Sequence, residues 1–261
     1  MVSGMPLELS VKLQRAQEHI MTLLVENTDQ YFNKKPYEIT IEPDDKTGLT
    51  HTAYISFTEP LPPTFAIRIG EALYQLRSTL DHTVTMLSDV RPDSRVTEFV
   101  ITDDRESFDG IGKPRLSKRL DAIQAPGARS FIEAVQPFNQ HSGNPVDNAL
   151  WVLHELFMAD KHRRLLLTQA ASHGSRRVPI YSGVREIHFT SGALLPDNRN
   201  RSVLAKMALT ESRRQFDLDI EPMLTVAFAD EPVAQNRIAL DVLDEALRFT
   251  SFVVGTLCKY L

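Results

Sequence analysis

Four stretches of this chain repeat apolar residues at three- and four-residue spacing, and none can bury its apolar side alone. The clearest spans 64–90. With Leu80 at zero and 100° per residue, Ile69, Leu73, Leu76, Val84 and Leu87 all fall within about 40° of it. A second run, 6–33, carries Leu9, Leu13, Ala16, Ile20, Leu23, Leu24 and Asn27, and Pro36 ends it by pushing the preceding residue out of helical geometry. The third, 147–164, repeats Leu150, Leu153, Leu156 and Phe157. The fourth, 232–261, lines one side with Leu243, Ala246, Leu247, Thr250, Val253, Val254, Leu257 and Leu261, with Asp230 as its cap and Pro232 in its first turn. One-sided helices bury their stripes most economically against each other, so the spacing predicts a four-helix bundle core.

The connecting segments have a different texture. Tyr37–Ile41 and His51–Phe57 alternate apolar and polar residues around Pro43–Gly48, which predicts a hairpin. A short strand is expected at Glu98–Ile101, then small helices at Arg105–Phe108, Pro114–Ile123 and Ala128–Val135. From Leu165 to Phe228 short runs (Leu165–Gln169, Val178–Tyr181, Arg185–Phe189, Val203–Leu209, Phe216–Ile220, Met223–Phe228) predict a small antiparallel sheet with one wet face. The fold class expected is α+β, one domain over 1–261. Its helical core is 6–33, 64–164 and 232–261, and its β layer is 37–58 and 165–229.

Charge is unevenly spread along the chain. Lys161 to Arg214 holds eleven basic residues and three acids, a net of +8, while the whole chain carries −5. Such segregation predicts either a basic face for a polyanion or a basic segment docked on the protein's own acids. One cysteine, Cys258, excludes an intramolecular disulfide framework and a thiolate zinc site. With no apolar run of membrane-span length and no basic-then-apolar leader pattern, the chain reads as a cytoplasmic protein with no membrane partner. It contains neither a Gly-rich phosphate loop nor a Gly-x-Ser-x-Gly elbow, and no cofactor is expected.

The residues best suited to chemistry lie in Arg77-Ser78-Thr79-Leu80-Asp81-His82. Arg77 falls about 60° and Asp81 about 100° from the stripe centre, four residues apart and able to pair. His82 falls near 200°, facing away from the core, so it would join Arg77 only across a second surface. Arg-x4-His on a helix of a bundle resembles the HEPN superfamily, whose Arg-x4–6-His motif marks metal-independent ribonucleases of toxin, defence and RNA-processing systems. The residue after the arginine, often Asn, Asp or His in that family, is Ser78 here. The resemblance implies a homodimer in which Arg77 neutralises the scissile phosphate of RNA and His82 moves a proton. Guanidinium and imidazole suit those tasks. A second reading is a non-catalytic protein of the same architecture that binds nucleic acid or a protein partner through 161–214.

The run His154 to Arg164 is the other concentration of chemistry-bearing residues. Asp160 projects onto the apolar face of its helix and needs a cation if buried there, with Arg77 the best placed. Lys161, Arg163 and Arg164, with Arg176 and Arg177 beyond, would form the nucleic-acid-binding surface. His154, Asp160 and His162 lack the three- or four-residue spacing of helical metal ligands, so no metal site is expected. Trp151, the only tryptophan, points outward on the helical wheel, toward either a subunit interface or a covering segment of the same chain.

Overall fold

The computed structural model describes residues 4–88, 98–111, 114–123, 125–139, 143–163, 165, 167–177, 183–213 and 218–261. Its helices are α1 (Leu7–Val25), α2 (Pro63–Leu87), α3 (Arg105–Phe108), α4 (Pro114–Asp121), α5 (Pro126–Ala134), α6 (Ala149–His162) and α7 (Ala239–Leu257). The strands are β1 (Tyr37–Pro43), β2 (Thr50–Phe57), β3 (Leu167–Arg177), β4 (Val184–Phe189), β5 (Gly192–Ala193), β6 (Ser202–Leu209) and β7 (Glu221–Phe228).

The α+β class holds, but the expected bundle core does not. Among the described residues the architecture is seven α-helices with two antiparallel sheets, ordered β1-β2-β6-β4 and β5-β3-β7. The long helices do touch: α2 lies against α1, α6 and α7. Their core is not closed by those four, however. Phe99, Val100 and Ile101, Leu120 of α4, Ile132 of α5, and Val226 and Phe228 of β7 are buried in the same cluster. The physical reason lies partly in α6, which is apolar around most of its circumference and cannot be covered from one side. Segments outside the long helices therefore have to complete the core.

The β expectation also changes. The hairpin β1–β2 is not a separate element, because β2 pairs along its other edge with β6, with His51 opposite Met207 and Ala53 opposite Ala205. A two-stranded hairpin is marginal in water, whereas Ala53 and Ile55 bury fully once β6 supplies Leu204 and Ala205. Phe57 and Leu224 pack against both this smaller cluster and the helical core, joining the layers. The runs expected at Val178–Tyr181 and at the start of Phe216–Ile220 lie outside the described residues.

Helix ends depart from the periodicity where backbone groups find other partners. The first helix leaves regular α geometry at Glu26 and continues as a π turn and a 3-10 turn to Lys34. The last begins at Ala239, not near Pro232, because Phe228, Asn236 and Arg237 exchange backbone hydrogen bonds in a turn. On α2, the polar residues Thr79 and Thr83 are fully buried at no orphan cost, since each hydroxyl donates to the carbonyl four residues back. No helix among the described residues is long and apolar enough to cross a membrane.

Candidate functional site

A strand is expected at Glu98–Ile101, but residues 98–102 form an extended segment whose partners are side chains. Asp81 accepts the Phe99 N–H at 2.9 Å, and Arg77 Nη2 donates to the Phe99 carbonyl at 2.7 Å. Two turns of α2 thus hold both backbone groups of one residue. Further along, the Gln136 amide accepts from Thr102 N–H at 2.9 Å and donates to the Val100 carbonyl at 2.9 Å. Polar side chains substitute for a neighbouring strand, so the segment satisfies its backbone away from either sheet.

The segment closes one side of a cavity of about 270 Å³ between α2, α4 and α6. Arg77, Trp151 and His154 line it together with Phe99, Leu116 and Arg119. Arg77 is only 6% exposed, and its Nη2 lies 3.0 Å from Asp81 Oδ1. Its other terminal nitrogen, Nη1, is buried with no hydrogen-bond partner among the described residues. Burial pulls the guanidinium below its ordinary range, against the opposing pull of Asp81 and Glu98. Burial likewise pushes the Asp81 carboxyl up, offset in part by Arg77 and the Phe99 N–H.

His154 faces this cavity from α6. Burial, reinforced by the positive charge of Arg77, lowers its pKa to about 4, so the imidazole is neutral at pH 7. Its Nδ1 is buried and has no partner among the described residues. The ring sits 6.1 Å from Trp151, three residues earlier on the same helix face. At the cavity edge, Arg119 pairs with Glu98 at 2.8 Å, and Asp103 is exposed.

Of the residues singled out in the sequence, Arg77 and Asp81 come together and His82 does not. His82 is exposed, on the side of α2 away from the cavity, about 140° around the helix from Arg77. Ser78, between them, accepts a 2.8 Å hydrogen bond from Lys12 of α1 and so ties two helices. The expected Arg77–Asp160 pair is also absent. Asp160 lies two helical turns away along α2, its carboxylate pressed against Gly70 where a Cβ would overlap it. Gly70 thus serves close approach, and burial pushes the Asp160 carboxyl above its usual range. His154 faces inward and His162 is exposed at the end of α6, so they do not converge on Asp160.

Part of the basic segment pairs with the protein's own acids. Lys161 is exposed, while Arg163 reaches Glu231 at 2.6 Å. Arg201 pairs with Glu42 of β1 and with Asp197, and its guanidinium lies 4.0 Å over the Tyr54 ring. Strand order explains this: β6, from the basic segment, sits beside β2 of the acidic part. Arg164 lies outside the described residues; Arg176 and Arg177 end β3.

Sequence reasoning named Trp151 and His154 but missed the cavity that joins them, its lining residue Arg119 and the Gln136 clamp on its floor. One signal was available. Trp151 and His154 sit three apart on a helix apolar almost all round, which requires a cover over their side. That cover is the 98–102 segment and α4, so Trp151 is partly buried against its own chain. No protein-family model matches the chain, and no curated protein or solved structure is significantly similar to it.

Proposed function

We propose that this protein binds a small molecule in the cavity between α2, α4 and α6, with Arg77 as the anchoring residue. One observation carries this reading: Arg77, 6% exposed and with one terminal guanidinium nitrogen lacking a protein acceptor among the described residues, lines a cavity together with Trp151 and His154. A buried charged donor left unsatisfied costs on the order of 1–3 kcal/mol or more, and a turn of the guanidinium toward an acceptor bound in the cavity would remove that cost. The floor of the cavity is held by side-chain clamps at Phe99, Val100 and Thr102, the pre-organisation that binding sites use to limit ordering costs.

The ribonuclease reading asks for Arg77 and His82 in one cleft, which a single copy of this chain does not provide. It would need the partner copy's His82 to reach an arginine already clamped by Asp81 and Phe99. The test uses the single tryptophan. Trp151 lines the cavity, so its fluorescence should shift saturably with some members of a library of small acids, bases and neutral compounds, with a matching rise in Tm. If no compound does so at millimolar concentration, the reading fails. If instead the purified chain cuts RNA in chelator, and His82→Ala abolishes cleavage without loss of fold, the ribonuclease reading replaces it.

A further inference from the structure

We propose that the outer face of α1 docks a second copy of this chain, helix against antiparallel helix, about a two-fold axis beside Gln14 and Glu18. The helix has two apolar sides, and the described residues cover only one of them. Leu9, Ala16, Ile20 and Leu23 are buried in the helical core. On the opposite side Leu7, Val11, Met21 and Val25 are exposed at 75%, 45%, 51% and 47%. Single exposed apolar residues are ordinary on a protein surface. Here these four and Leu24 make five of the fourteen large apolar residues exposed among the described residues, all on one helix of 19.

The spacing indicates what fits this face. Leu7, Val11, Gln14, Glu18, Met21 and Val25 follow one another at alternating intervals of four and three, the repeat of a coiled-coil seam. At 100° per residue all six fall within about 40° of Val25. Laid antiparallel on itself, the row sets Leu7 against Val25 of the second copy, Val11 against its Met21, and Gln14 against its Glu18. Apolar ends then meet apolar ends, and the polar middle meets itself. A parallel pair would set Glu18 against Glu18 instead. The Glu18 carboxylate is already prepared for partial burial, since Gln14 Nε2 donates to one oxygen and Arg15 Nη1 to the other, each at 2.9 Å. Gln14 keeps a second amide hydrogen for the Glu18 of the second copy, and a polar pair within an apolar seam fixes its register.

Charge argues against a lipid surface as the occupant. Glu8, Lys12, Arg15 and Glu18 sum to zero along α1, whereas interfacial helices carry Lys and Arg beside their apolar face. The extent of the face sets the strength of the pair. From Leu7 to Val25 the strip is about 27 Å long and about 10 Å wide, so two copies cover roughly 500 Å² in outline. That is short of the roughly 1,200 Å² of a standard interface, so the pair is weak and exchanges with single chains. No residue of α1 lines the cavity between α2, α4 and α6, and pairing is independent of ligand binding there.

The experiment is sedimentation equilibrium of the full chain from micromolar to millimolar concentration. The mass should rise from one chain toward two and stop there. Val11→Glu or Met21→Lys alone should weaken pairing at least tenfold at unchanged Tm in dilute solution, since both side chains are exposed. The two substitutions combined in one chain lie opposite each other only if the helices run antiparallel. That chain should pair at least fivefold more tightly than either single variant. Phe252→Lys, at an aromatic 56% exposed on α7, should pair as the parent does. A chain that stays single at millimolar concentration, or a mass that climbs past two, overturns the pair. A pair that ignores both single substitutions, or that Phe252→Lys breaks as readily, overturns the location. Weakened single variants whose combination does not recover overturn the antiparallel register.

Discussion

Arg77 and Arg201 are both arginines held by carboxylates, yet they leave different capacities behind. On the four-stranded sheet, Arg201 gives one terminal nitrogen to Glu42 and the other to Asp197, and stacks on Tyr54. Its two terminal nitrogens are taken by the protein's own acids, and only Nε is left buried without a partner among the described residues. On α2, Arg77 places both its ion pair and its backbone hydrogen bond on a single nitrogen, Nη2, and leaves Nη1 buried without a partner among the described residues, in a side chain that lines a cavity. An arginine's availability is therefore set by which of its nitrogens are taken and not by whether a salt bridge exists. On the sheet the terminal nitrogens of Arg201 are taken, and on α2 the proposed site keeps one terminal nitrogen of Arg77 unpartnered among the described residues.

The sharpest way to break the comparison is to remove each arginine. Arg77→Met leaves Asp81 and the Phe99 carbonyl without their partner and should cost about 2–4 kcal/mol, somewhat less than a fully buried pair because Asp81 is partly exposed. Arg201→Met should cost about 1 kcal/mol or less, since its partners face water. Equal losses in urea unfolding would erase the distinction.

A nearly equal effect is expected from pH. In the unfolded chain His154 gains its proton near its ordinary 6.5, but in the folded chain only near 4. The unfolded state thus binds more protons between those values, and stability falls as pH drops through that window, by up to about 3 kcal/mol. The difference between the parent and His154→Gln should show this slope between pH 6.5 and 4 and vanish above 7. A flat difference would mean that His154 is not held neutral beside Arg77.

The third test concerns Asp160, a carboxylate with no cation partner among the described residues. Gly70→Ala should cost about 1–3 kcal/mol by forcing the α2–α6 seam apart at Asp160. Adding Asp160→Ala should more than restore the loss, because alanine is the better helix former by up to about 1 kcal/mol once the clash is gone. Additive effects in the two single variants would show that the contact is not made.

Much of the helical framework was legible in advance. The stripe from Ile69 to Leu87 gave α2 to within a few residues, and the four-residue spacing of Arg77 and Asp81 anticipated their pair. The angular separation of Arg77 from His82 was legible for the same reason, since 100° per residue is a local property of the helix. The partner expected for Asp160 was not, because periodicity gives the direction of a side chain and not what lies at its end. Asp160 points at α2, as its angle says, but it meets Gly70 two turns from Arg77.

The basic segment and the cavity mark the boundary most clearly. By itself the sequence determined the periodic elements, the α+β class and the excess of basic residues between Lys161 and Arg214, because these depend on neighbours within a few residues. Tertiary structure alone decided that β6 would lie beside β2, placing Arg201 of the basic segment next to Glu42 of the acidic part. It also decided that Phe99–Thr102, fastened by Arg77, Asp81 and Gln136, would cover the outer side of α6 and turn Trp151 and His154 into cavity walls. Both outcomes depend on pairings between residues far apart in the chain, whose geometry is set by packing and leaves no local period to read.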